Sequence, residues 1–242
     1  MTALSVNLNK LALLRNSRGH NYPDILQYTR RFIELGVKGI TVHPRPDERH
    51  IKQQDAHNLA SLLTDFSEVE YNIEGYPNEN FLQLVEACGP SQCTLVPDAD
   101  NQLTSDHGWD FTQDLETLKP IIQRLKQSDI RVAIFLDPDI HQIELAAQSG
   151  ADRIELYTEE YASEFSGSNS KNVLKKYHDA AIKAQELGLG VNAGHDLNLQ
   201  NLSDFLSIPD ILEVSIGHAL IMESIDYGIE KVISGYLNIC QT

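Results

Sequence analysis

Short runs of apolar and β-branched residues alternate along the whole chain with stretches whose apolar residues recur at helical spacing. Strands are predicted at Leu4 to Leu8, Gly39 to His43, Val69 to Glu74, Cys93 to Pro97, Arg131 to Asp137, Arg153 to Tyr157, Gly190 to Ala193 and Leu212 to Ile216. Several are nearly continuous apolar runs, the pattern of strands buried on both faces of a parallel sheet. Between the first two, Ile25, Tyr28, Phe32 and Leu35 fall at i, i+3, i+7 and i+10, opened by Pro23-Asp24 and closed by Gly36. Leu118, Ile121, Ile122 and Leu125 mark one face of a later helix. The segments Gly36-Val-Lys-Gly-Ile-Thr-Val-His43 and Gly150-Ala-Asp-Arg-Ile-Glu-Leu-Tyr157 each put a helix-ending glycine before a short strand, an echo that supports a repeated helix-to-strand unit.

Eight such strand and helix units in 242 residues predict an α/β fold, a single (β/α)₈ TIM barrel domain over residues 1–242. An open doubly wound sheet is the alternative, but no glycine-rich dinucleotide fingerprint follows the first strand. Two of the connections read as long and polar: Asp98 to Thr112 after the fourth strand, and Thr158 to Ser170 after the sixth. Such loops serve as lids and binding loops, or as surface ornament.

Composition narrows the function. Hydrophobic residues make up 41% and charged residues 22% of the chain, which excludes a disordered or fibrous protein. A net charge of −16 repels nucleic-acid backbones and anionic lipid, so neither is expected as a partner. No stretch approaches the ~20 apolar residues of a bilayer span, Met1 to Arg15 is too polar for a secretory signal, and a cytoplasmic location is expected. Cys88, Cys93 and Cys240 are odd in number and lack metal-ligand spacing, so they read as reduced thiols. An anionic small ligand on so acidic a protein must be held by local devices: single arginines, backbone amides and helix N-termini.

Barrel enzymes build their sites from residues at the C-terminal ends of strands. Those positions here carry Asn7, Asn9 and Lys10, with Arg18 beyond; His43, followed by Arg45 and His50; Glu74; Glu155; His195; and Gly217-His218. Two histidines and two glutamates at one mouth suit general acid/base work, because imidazole and a carboxylate in a dry pocket are tunable to neutrality. His43 and His195 each directly follow an apolar strand, which favours a functional role. His50 and His218 also fit a surface or helix-capping role, and Glu74 and Glu155 also fit pairing with an arginine.

Arg18 and Arg45 suit phosphate by their bidentate geometry and suit an intraprotein salt bridge equally well. Gly194-His195-Asp196 and Ile216-Gly217-His218 follow strands seven and eight, where barrels cradle phosphate with backbone amides. Lys10 suits a Schiff base only if burial lowers its proton affinity, and a solvated lysine or phosphate contact is the plainer reading. No His-x-His pair offers a metal-hydrolase site.

With these positions in hand, the chain resembles the pyridoxine 5′-phosphate synthase family of vitamin B6 biosynthesis from about Ser5 to the last helix. The resemblance is carried by Val6-Asn-Leu-Asn-Lys-Leu-Ala-Leu-Leu-Arg-Asn-Ser-Arg-Gly19, Ile40-Thr-Val-His-Pro-Arg-Pro-Asp-Glu-Arg-His50, Leu95-Val-Pro97, Val191-Asn-Ala-Gly-His195 and Ile216-Gly-His218. It implies a (β/α)₈ barrel that condenses 1-deoxy-D-xylulose 5-phosphate with 3-amino-2-oxopropyl phosphate, losing one phosphate and two waters. It implies no metal or redox cofactor, and a homo-octamer.

By the same resemblance His43 and Glu74 are proton acceptors, His195 the proton donor and Glu155 the transition-state stabiliser. Asn7, Arg18, Gly217 and His218 match positions that hold the amino-ketone phosphate. Arg45, His50 and Thr104 match those that hold the deoxyxylulose phosphate. The chain departs from the family at Asn9-Lys10, where many members carry Asp-His, and at Asp196, where they carry glycine. Two other readings stay open on the residues alone: a different phosphosugar aldolase or isomerase on this barrel, and a catalytically silent barrel that binds phosphometabolites.

Overall fold

A computed structural model describes residues 1–98 and 105–241. Eight parallel strands form a closed barrel in chain order: β1 (Ala3–Asn7), β2 (Gly39–Val42), β3 (Glu70–Gly75), β4 (Gln92–Leu95), β5 (Arg131–Leu136), β6 (Arg153–Tyr157), β7 (Gly190–Gly194) and β8 (Ile211–Ile216), with β8 returning to β1. The expected strands are all present, with ends displaced by one or two residues.

The helices on the outside are α1 (Asn9–Asn16), α2 (Ile25–Glu34), α3 (Gln53–Leu63), α4 (Glu79–Cys88), α5 (Phe111–Gln127), α6 (Ile140–Ala146), α7 (Glu159–Glu164), α8 (Ser170–Glu186), α9 (Leu202–Phe205), α10 (His218–Tyr227) and α11 (Ile229–Gln241). Among the described residues none is long and apolar enough to cross a membrane.

The predicted start and stop signals work as physics requires. The Asp24 carboxylate accepts from the amides of Leu26 (2.9 Å) and Gln27 (3.2 Å), capping α2. Gly36 then ends it at φ +102°, and Gly150 takes φ +85° before β6. Both adopt the left-handed backbone that a side chain disfavours, so the echo between the two segments is one turn used twice.

The main apolar core lies between the strands and the helices, where Ile40, Ile73, Ile134 and Ile154 meet Phe32, Leu59, Leu118 and Tyr177, all fully buried. The barrel interior carries a second, polar set: Ser5, Thr41, Asn72, Gln92, Thr94 and Asn192 are buried within it. Barrel interiors are usually filled with branched apolar side chains.

The connection expected to be a loop from Thr158 to Ser170 instead contains α7. Its only buried residue, Tyr161, packs at a steep angle against Phe205 (ring centroids 5.2 Å apart) and Tyr177 (6.1 Å) and donates its hydroxyl to the carbonyl of Asn201 at 2.7 Å. A single aromatic anchor with Glu159 and Glu160 at the helix's positive end is enough to order a segment whose composition reads as polar loop.

The other long connection returns to the barrel through Gly108, whose amide donates to Asp137 Oδ2 at 3.0 Å. A Cβ there would lie 2.4 Å from the backbone nitrogen of Asp137. Gly108→Ala is therefore expected to destabilise the fold by about 1–3 kcal/mol, because backbone rather than a flexible side chain must move. Chemical denaturation with the slope unchanged and the midpoint lowered checks this.

Candidate active site

A cavity of about 520 Å³ opens at the C-terminal ends of the strands. Asn7, His43, Arg45, His50, Glu74, Glu155, His195, Asp196, Gly217 and His218 all line it, as does Lys10. Two expected residues are not among these. Thr104 lies outside the described residues. Arg18 is exposed and does not line the cavity: α1 starts at Asn9 and carries the chain ~12 Å in its eight residues, and Arg18 lies beyond its end. Its neighbour Arg15 forms a structural bridge, a bidentate pair with Asp55 at 2.7 and 2.8 Å.

Side chains stitch the strand ends together. Asn7 accepts from the amide of Asn9 at 3.0 Å and donates from its Nδ2 to Glu74 Oε2 at 3.4 Å. Asn9 in turn accepts from the amide of His43 at 2.9 Å. This task needs one acceptor oxygen, which asparagine supplies as well as aspartate. Lys10, on the first turn of α1, adds a cation to the wall shared with Arg45, Arg49 and His50.

Burial sets the proton affinities. His43 is held well below the ordinary histidine value, first by desolvation and then by the Arg45 guanidinium, so it stands neutral with a lone pair that can accept a proton. His50 falls to about 4 for the same reasons, and its Nδ1 accepts from the amide of Ile51 at 2.9 Å. Glu74 is pushed well above the carboxylate range by desolvation and by Glu155, Asp98 and Glu213. Glu155 rises to about 8, through desolvation and then Glu213. A cation placed beside either carboxyl would favour its ionised form.

His195 packs edge-on against Phe135 (5.7 Å) and Tyr157 (5.1 Å). Desolvation lowers it, while Asp196 and Asp98 act to raise it. His195 and Asp196 both have positive φ, +82° and +55°, and Thr158 Oγ1 donates to the carbonyls of Gly194 and His195. Two consecutive strained residues at a strand end mark a place where geometry is held for use. Asp196→Asn is expected to lower the His195 midpoint by removing the nearest opposing charge. An NMR titration of the imidazole protons reads the direction.

Arg45 is buried in a salt bridge with Asp98, which also accepts from Ser105 Oγ at 2.9 Å. Asp98 did not stand out in the strand-end reading, because it sits three residues past β4. Glu213 was also missed. Although it lies on β8, its alternation hides a buried acid, 3.8 Å from Arg153. Phe135 and Tyr157, the walls around His195, read in sequence as ordinary strand residues.

Residues 4–242 match the family model of the pyridoxal phosphate biosynthesis protein PdxJ. Over 238 residues the chain is 52% identical to the pyridoxine 5′-phosphate synthase of Flavobacterium johnsoniae, covering 98% of each chain. It is 50% identical to that of Xanthomonas campestris pv. campestris over 246 residues, 98% of this chain and 96% of the relative. Among solved structures, phosphoribosyl anthranilate isomerase from Thermotoga maritima superposes with a TM-score of 0.63 at 13% identity, covering 100% of this chain and 99% of that one. That likeness concerns the barrel alone.

Proposed function

The chain belongs to the family of the pyridoxal phosphate biosynthesis protein PdxJ, and on that premise we propose that it condenses 3-amino-2-oxopropyl phosphate with 1-deoxy-D-xylulose 5-phosphate. The product is pyridoxine 5′-phosphate, released with one phosphate and two waters. The observation that carries this reading is the convergence of His43, Glu74, Glu155 and His195 on one cavity with anion-binding groups at its rim.

The reaction needs an imine between the amine and a ketone, proton abstraction beside a carbonyl, loss of phosphate, ring closure and dehydration. Each step moves a proton, and the four side chains supply the acceptors and donors. His43, neutral through burial, takes a proton. Glu74 becomes the second acceptor once the substrate ammonium lowers its affinity. His195 starts neutral, and negative charge from bound phosphate and from Asp196 helps it take up the proton that it later donates. Glu155 stabilises the charge that develops during ring closure.

The N-terminus of α10, at Gly217-His218, faces the cavity and offers backbone amides to the amino-ketone phosphate, with Asn7 beside it. A Cβ on Gly217 would lie 3.1 Å from Asn7 Cβ, so glycine keeps this approach open. Arg45, His50 and Thr104 serve the deoxyxylulose phosphate, with Arg18 and Asp196 completing the substrate contacts. Lys10, in the same wall as Arg45 and His50, adds positive charge for a phosphorylated substrate. The chain acts in the cytoplasm as a homo-oligomer, an octamer in this reading. Leu13 and Leu14 on α1 and Met222 and Ile225 on α10 are exposed apolar residues of two helices that pack together, a surface that suits a second copy.

Mixing the protein with both substrates tests the reading. Inorganic phosphate and pyridoxine 5′-phosphate are expected in equal amounts. Neither product from folded protein that binds both substrates would replace it with a silent barrel.

A further inference from the structure

The connection from β2 to α3, residues 43–52, brings Arg45, Arg49 and His50 to one wall of the cavity without regular structure of its own. Pro44 and Pro46 have no amide proton to donate, so other groups must hold this segment. Helix α1 supplies them at both of its ends. At its start Asn9 accepts from the amide of His43 at 2.9 Å. At its end the Asn16 side-chain nitrogen donates to the carbonyls of His50 at 2.7 Å and Arg49 at 3.2 Å, and Arg15 Nη2 reaches the same His50 carbonyl at 3.3 Å.

The partners of Asn16 fix which way its amide points. Its Oδ1 accepts from Arg15 Nε at 3.0 Å and Nη2 at 2.9 Å, and a guanidinium only donates while a backbone carbonyl only accepts. Arg15 is fixed in turn by its two bonds to Asp55, whose carboxylate also accepts from the amide of Lys52 at 2.8 Å. Neither Arg15 nor Asn16 lines the cavity.

We propose that Asn16, aimed by Arg15, is a positioning residue for the anion site: by gripping the backbone of Arg49 and His50 it sets where their side chains meet a substrate phosphate. This rests on the function proposed above and concerns the hold on one of its two phosphates. The two gripped carbonyls bracket the His50 Cα, so the ring is ordered before any ligand arrives, which removes an entropy cost from binding. His50 Nδ1 accepts from the amide of Ile51, so the neutral ring carries its proton on Nε2 and meets an anion as a donor. Asn9 and Asn16 stand on one helix, which also fixes the spacing of His43 and His50, whose ring centroids lie 6.2 Å apart.

The test is an NMR titration of protein labelled in its histidine rings, with inorganic phosphate and then 1-deoxy-D-xylulose 5-phosphate as probes, and with His50→Gln and His218→Gln assigning the two signals. His50 reports an anion at this wall, and His218 one at the N-terminus of α10. In Asn16→Ala the dissociation constant read at His50 is expected to rise about tenfold, the worth of one or two net hydrogen bonds, while that read at His218 stays in place. Ser17→Ala removes a bond within the end of the same helix, from Ser17 Oγ to the carbonyl of Leu14 at 2.7 Å, and leaves both constants unchanged. Equal losses at both histidines in Asn16→Ala, an unchanged constant at His50, or a wild-type His50 signal that ignores both probes overturns the proposal.

Should Asn16→Ala fold poorly, Arg15→Lys carries the test: lysine keeps a cation beside Asp55 but has no second arm for Asn16 and the His50 carbonyl, and the same selective rise at His50 is expected. With turnover, KM for deoxyxylulose phosphate rises about tenfold while kcat and the KM for the amino-ketone hold, the signature of lost binding and intact chemistry. The titration needs no turnover, so a protein that makes no product refutes the proposed reaction and leaves the Asn16 result standing. Product formed normally, with the His50 constant unchanged in Asn16→Ala, refutes the grip and leaves the reaction standing.

Discussion

Glu74→Gln is expected to lower kcat by about 10²–10⁴-fold while making the protein harder to unfold in alkaline solution. Glutamine keeps the shape of the side chain and the hydrogen bond from Asn7, so the cavity stays intact, but it cannot accept a proton. The stability gain follows from burial. Glu74 binds its proton more tightly in the folded state than its ordinary value of 4.5 allows in the unfolded chain. Its contribution to stability is complete below about pH 4.5 and is lost as pH rises through the raised folded value. The variant escapes that loss. Denaturation of wild type and variant should coincide near pH 4 and diverge steadily above pH 5, with the variant more stable. A folded Glu74→Gln protein with near-normal turnover would remove Glu74 from the chemistry.

His43→Ala is expected to cost about 10²-fold or more in kcat and to shift stability with the opposite pH sense. The imidazole is buried and neutral, with its folded proton affinity well below the ordinary 6.5. A group depressed in this way contributes its full stability above about pH 6.5 and loses it as pH falls toward the folded value. Wild type therefore pays an acid penalty that His43→Ala lacks. The gap between the two should narrow on acidification, after allowing for the packing lost with the ring. Retained turnover in the folded alanine variant would assign the first proton transfer to another group.

The fold was legible because each strand carries its own apolar run and each helix its own period, and a closed parallel barrel repeats that pairing. Gly36 and Gly150 show how local the information is: one helix-ending turn, read twice in sequence, stands twice in space. The strand-end rule placed His43, Glu74, Glu155 and His195 at one mouth because the C-terminal end of a barrel strand is fixed by the strand itself.

What stayed hidden depended on pairing across strands. Asp98 meets Arg45 and Glu213 meets Arg153 only after the barrel closes. Nothing in the order of residues says that inside the barrel Thr94 donates to Asn72, that Asn72 donates to Thr41, or that Thr41 is bonded to Ser5. The helix within Thr158 to Ser170 was missed because Tyr161 gains its value from Phe205 and Tyr177, both distant in sequence. Arg18 is a different case: residue type alone suggests a phosphate anchor, and its place beyond the end of α1, outside the cavity lining, depends on the length of that helix.

A structure of the Glu74→Gln variant bound to both phosphorylated substrates would test the central claim most directly. The account predicts one phosphate on the amides at the N-terminus of α10, beside Gly217 and His218, and the other at Arg45 and His50. Between them the carbon skeleton lies within hydrogen-bonding reach of His43, Glu155 and His195. Substrates seated outside this cavity, or a bound skeleton that none of those three side chains touches, would contradict it.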